Sequence, residues 1–170
     1  MHGMHVAGII GANGDENDAK ANKAVIGVAP EVQLLAMKVF SNKPDNEIAF
    51  SDDITAAIED SVKKGADVIN MSLGGDAGFV DNNDPEQKAI KTAVDAGVIV
   101  VLASGNSAYS TNPDSPYMED IDTGNVSSPG LCKDSIQVAS MNNAKMILKA
   151  FNFKSNLESG KVPYCISEVD

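Results

Sequence analysis

SDDITAAIEDSVKKGADVINMSLGG, residues 51–75, is the stretch that decides the fold. Ser51 is a helix N-cap, and Asp52 and Asp53 in the first turn suit the positive end of a helix dipole. Ile54, Ala57, Ile58 and Val62 fall on one face. Lys63 and Lys64 stand at the negative end, and Gly65 terminates the helix. The mostly apolar residues 67–72 then read as a strand that runs out into Leu73-Gly74-Gly75. The next stretch repeats the unit. Asp84 caps a helix, Pro85 takes its first position, and Gln87 stands where a capping box needs it. Ala89, Ile90, Ala93 and Val94 make its apolar face, Gly97 ends it, and VIVVLA, residues 98–103, is the following strand.

Outward from this core, VQLLAMKVF (residues 32–40) is a short apolar run between Pro30 and a turn at Pro44. It predicts a buried strand. Residues 134–140, DSIQVAS, predict one more. Strands and helices that alternate with short joins predict an α/β fold: a three-layer arrangement with a parallel β-sheet covered by helices on both faces. Such sheets place their sites at the carboxyl ends of strands.

Composition narrows the function. The chain has 170 residues, 43% of them hydrophobic, with two cysteines and no tryptophan. That suits one globular domain burying roughly 70% of its unfolded surface. A net charge of −11 argues against a nucleic-acid partner. The longest apolar run falls short of the ~20 residues that span a bilayer. No basic flank precedes an apolar core, so no signal peptide is visible. Met1 runs straight into an apolar helix with no cap ahead of it, which reads as a start within a domain. Cys132 and Cys165 neither require nor exclude a disulfide, and free thiols are the default.

The N-terminal HGMHVAGII, residues 2–10, predicts a helix over 2–12. Val6, Ala7, Ile9 and Ile10 leave little polar face, so burial is expected. His2 stands at the helix N-terminus, where the dipole favours neutral imidazole, the form a general base needs. A core histidine bonded to backbone accounts for the same residue. His5 lies three residues on, near the same face, and reads as a buried structural histidine; a zinc pair lacks the H-E-x-x-H pattern and a third ligand. NGDENDAKANK, residues 13–23, reads as a polar loop.

HGMHVAG resembles the histidine motif of subtilisin-like serine peptidases, with Met4 where the family usually has threonine. DVINMSLGG (67–75) and ASGN (103–106) resemble two further family motifs, in the right order. Insertions and tail resemble the large cell-envelope type, similar to lactocepins and C5a peptidases. The resemblance implies a partial subtilisin-like domain over residues 1–141, with 142–170 opening a protease-associated insert. It implies an extracellular or cell-envelope bacterial enzyme acting on proteins or peptides, with no cofactor for its chemistry. A cis bond is implied before Pro129. In some members the loop matching residues 13–23 holds calcium. Asn13, Asp15, Glu16, Asn17 and Asp18 offer the hard oxygens calcium takes, although their spacing is no EF-hand and a solvated loop explains them as well.

Peptide hydrolysis by serine needs a nucleophile, a base, an orienter for that base and donors for the oxyanion. By resemblance His2 is the base and Asn106 the oxyanion donor. Ser72, Leu73 and Gly74 form one wall of the substrate cleft, and Ala103, Ser104 and Gly105 the other. Strand-end backbone there could add an extended peptide as a further strand. Neither Ser72 nor Ser104 sits in a G-x-S-x-G elbow, and Asp67 opens its strand at the end away from the site. The family order Asp, His, Ser puts the aspartate before residue 1 and the serine after 170, so these residues need the rest of the peptidase chain and are expected to be inactive alone. Two other readings stay open. One is a non-catalytic peptide-binding homologue. The other is a doubly wound nucleotide domain, which lacks the G-x-G-x-x-G fingerprint.

Overall fold

The computed structural model describes residues 2–21, 24–42, 48–75, 78–106, 126–140, 149–154 and 159–164. The turn at Pro44, residues 76–77, residues 107–125 and Cys165 lie outside them. Two compact units form, Met1–Ala139 and Ser140–Asp170.

In the first unit, helix α1 (His2–Gly11) and the short α2 (Glu16–Lys20) precede α3 (Ser51–Lys63), strand β1 (Val68–Met71), α4 (Pro85–Asp95), β2 (Ile99–Ala103) and β3 (Ile136–Val138). The strands make a parallel sheet in the order β1-β2-β3. Val68 pairs with Ile99, Met71 with Leu102, and Ala103 with Val138. The second unit holds an antiparallel pair, β4 (Lys149–Lys154) and β5 (Ser159–Tyr164).

The local signals for the two core helices act as expected. Asp84 accepts the Gln87 backbone N–H at 2.8 Å, Pro85 occupies the first turn, and Gly65 and Gly97 take φ of 77° and 92° past the helix ends. Two details differ. Phe50 is the N-cap of α3, and Ser51 is already helical, without a side-chain cap. The Gln87 side chain closes no capping box; it binds loop backbone at Phe79 and Asp81 instead.

The core lies between the sheet and one helical layer. Ile69, Met71, Val100 and Leu102 point from the strands toward Ile54 and Ile58 of α3 and Ile90 and Ala93 of α4. Burying a side chain such as Ile90, which has no exposed surface, contributes roughly 1.5–3 kcal/mol.

Several expectations are corrected. Among the described residues the sheet is covered on one face only. Val68, Ile99, Ile136 and Val138 are each about half exposed, because α3 and α4 pack on the same side. Helix α1 buries no residue; Met4 is 80% exposed. Its last turn is tied to the next segment by Val28 N–H to Ile9 O and Ala29 N–H to Ile10 O, and its apolar side meets little else. Residues 32–40 form no ladder among the described residues, and Leu34 and Leu35 are half exposed. Only Met37 and Val39 of this run reach the core side, lining a small hollow with Ile58 and Ile69. Within the loop 13–23, Asp15 caps α2 by accepting from the backbone N–H of Asn17 and Asp18.

Candidate active site

The parallel register brings the carboxyl ends of β1 and β2 side by side. Met71 faces Leu102, so Ser72 leaves β1 next to Ala103, the last residue of β2. His2 reaches this edge from the first turn of α1. Its Nε2 lies 2.9 Å from the Ser72 carbonyl oxygen across 70 residues of sequence. A carbonyl only accepts, so Nε2 carries the hydrogen in this contact. His2 is exposed, as is His5, so neither is the buried histidine the helix pattern suggests. No three His, Cys, Asp or Glu side chains gather into a metal-binding group among the described residues.

Asn106 stands three residues past β2 on the same edge, and it is exposed. Ser104 leaves the strand with its N–H donating to Val138 O at 2.9 Å, which carries the β2–β3 ladder one step further. Gly105 then turns the chain at φ 96°, a left-handed conformation that glycine takes without strain. Asp67 lies at the opposite end of β1, where its carbonyl accepts from Ile99 N–H at 3.0 Å.

The residues matched to the two cleft walls are therefore neighbours, and a third segment braces them. Residues 126–130 cross the edge. Ser127 N–H donates to Ser104 O at 3.0 Å, while Gly75 and Ser128 exchange both backbone hydrogen bonds, at 2.8 and 2.9 Å. Gly74, Gly78 and Gly130 allow the close approach. A Cβ on Gly74 would lie 2.9 Å from Ser128 O, and one on Gly78 2.8 Å from Ser128 N. A Cβ on Gly130 would strike the Ala103 carbonyl. The Ser128–Pro129 bond is cis. Ser127 and Pro129 are buried, and Cys132, one turn on, is a buried free thiol. Burial pushes the Cys132 thiol above its ordinary range.

Sequence reasoning missed this brace. Its only local signal was a run of small residues, SSPG, whose partners lie 23 to 53 residues away.

The model of the subtilase family matches residues 1–167. The PIII-type proteinase of Lactococcus lactis subsp. cremoris (strain SK11) is 46% identical over 154 residues, 88% of this chain and 8% of that protein. The C5a peptidase of Streptococcus pyogenes is 32% identical over 163 residues, 94% of this chain and 14% of that protein. Among solved structures, sphericase matches with a TM-score of 0.58 at 30% identity, over 94% of this chain and 43% of that one. The prenylagaramide maturation protease PagA matches with a TM-score of 0.63 at 25% identity, over 84% of this chain and 43% of that one. The chain thus spans less than a tenth of the length of the lactococcal proteinase.

Proposed function

Because the chain belongs to the subtilase family, we propose that it supplies the base and the oxyanion donor of a serine endopeptidase that cleaves proteins outside the bacterial cell or at its envelope. The observation that carries this reading is the contact between His2 and the Ser72 carbonyl, which tethers the imidazole at the strand edge where β2 delivers Ala103 to Asn106.

His2 takes the proton of the nucleophilic serine and returns it to the leaving amine. That role needs Nε2 free of hydrogen. In the contact with Ser72 the hydrogen is on Nε2, the opposite tautomer. A carboxylate accepting from Nδ1–H reverses the tautomer and releases Nε2 toward the serine. By family order, both that carboxylate and that serine come from chain outside this sequence. Asn106 donates its side-chain amide to the oxyanion. Leu73 and Gly74 continue past the β1 ladder, and among the described residues their backbone pairs with nothing, so they are available to an extended substrate. Ala103, Ser104 and Gly105 form the facing wall. Residues 142–170 open an insert ahead of the nucleophile.

The test uses the full-length protein and casein. His2→Ala is expected to lower kcat by about 10⁶-fold and Asn106→Ala by about 100- to 1000-fold, values carried over from subtilisin, a member of the same family. A His2→Ala enzyme as fast as the parent would refute the assignment. Casein binding without any cleavage by the parent would show a non-catalytic homologue instead.

A further inference from the structure

We propose that Gln87 is a positioning residue for the substrate cleft, holding the outer loop and the cis-proline segment in one register. It rests on the peptidase reading, but it concerns a residue that touches neither substrate nor reacting atoms.

Gln87 lies in the first turn of α4 and is 7% exposed. Both polar groups of its side chain serve contacts outside its own helix. Oε1 accepts from Asp81 N–H at 3.3 Å, and Nε2 donates to Phe79 O at 3.1 Å. Its carbonyl faces the Cys132 thiol at 3.9 Å. Its N–H is spent on the Asp84 cap. A glutamine side chain that accepts and donates to backbone two residues apart clamps that backbone as a strand partner would.

The clamp matters because of what its two ends touch. The loop held at Phe79 and Asp81 begins at Gly78, which is pressed against Ser128 so closely that a Cβ would collide with it. Cys132 ends the segment that contains Ser128, and its N–H donates to Pro129 O at 2.9 Å. The Gln87 side chain therefore grips one side of the contact at Ser128, while its backbone carbonyl accepts from the Cys132 thiol on the other. Ser128 in turn pairs with Gly75, and its neighbour Ser127 pairs with Ser104. The distance between the two cleft walls is thus set through Ser127 and Ser128, and their position is set from Gln87. Removing the amide takes away the partner of both the Phe79 carbonyl and the Asp81 N–H, and with it the restraint that holds the loop.

In the full-length peptidase, Gln87→Leu keeps the size and removes both side-chain bonds. The expected result is a KM for peptide substrates raised about tenfold, with kcat held within about threefold. A fluorophosphonate that labels the serine without using the cleft walls is expected to react with variant and parent at the same rate. Gln87→Glu keeps the acceptor for Asp81 and loses the donor to Phe79, so its KM is expected between the two. Unchanged KM in Gln87→Leu overturns the proposal. So does an equal fall in kcat and in labelling rate for both variants, which marks general structural damage. A parent that neither cleaves peptides nor takes the label fails the peptidase reading itself, a separate outcome.

Discussion

Gly105 sits against Ser127, with no room for a side chain between them: a Cβ on Gly105 would collide with Ser127 Oγ and lie 3.0 Å from Ser127 Cβ. The contact joins the turn before Asn106 to the segment that ties together the chain leaving β1 and β2.

Gly105→Ala therefore carries two penalties, left-handed strain at φ 96° and a steric clash with a buried residue. Gly65 is the internal control, with φ 77° and nothing within 4 Å of an added Cβ. Gly65→Ala is expected to cost about 1–2 kcal/mol in urea unfolding. Gly105→Ala is expected to cost more, by roughly 1–3 kcal/mol, and to slow peptide cleavage as well. Equal costs at the two sites would show that Ser127 yields freely.

Cys132 gives a pH dependence. Burial raises its folded pKa above the unfolded value, so the folded state keeps its proton to higher pH than the unfolded state does. The stabilisation it contributes is complete below the unfolded thiol pKa and is lost as pH rises through the folded one. Unfolding free energy is expected to decline above about pH 8.5 in the parent, and to decline less in Cys132→Ala. Iodoacetamide at pH 8 should leave Cys132 unmodified in the folded protein and alkylate it in urea, read by peptide mapping. Rapid alkylation of the native protein would contradict the burial.

The bare sheet face predicts association. Val68, Ile99, Ile136 and Val138 form one apolar stripe across three paired strands, and β1 and β3 are the sheet's edges. The 170-residue chain expressed alone is expected to bind a hydrophobic dye and to elute as oligomers. Ile136→Lys combined with Val138→Lys should shift it toward monomer. A parent that elutes as a dye-negative monomer would show that this face is covered.

What was legible in the letters is what short-range chemistry controls. The Asp84 cap, Pro85 in the first turn, the glycines ending α3 and α4, and the three parallel strands all depend on neighbours a few residues away, or on a short apolar run bounded by turn residues. Residues 32–40 show the limit. The run is apolar enough for a strand, but a strand exists only if a partner offers its ladder, and none of the described residues does. Gln87 shows it again: the capping-box spacing is present, yet its amide goes to Phe79 and Asp81, because a loop brought close by folding outcompetes the local N–H.

The amino-acid sequence by itself determined the βα alternation, the family and the identity of the groups that carry the proposed chemistry, since each is written in contiguous motifs. Tertiary structure alone decided that His2 meets Ser72 at the strand edge, that Ser127 and Ser128 tie the ends of β1 and β2 together, and that among the described residues one sheet face carries no helix. Those outcomes depend on backbone groups meeting across 23 to 70 residues, and a backbone carbonyl or N–H is the same in every residue that could have supplied it.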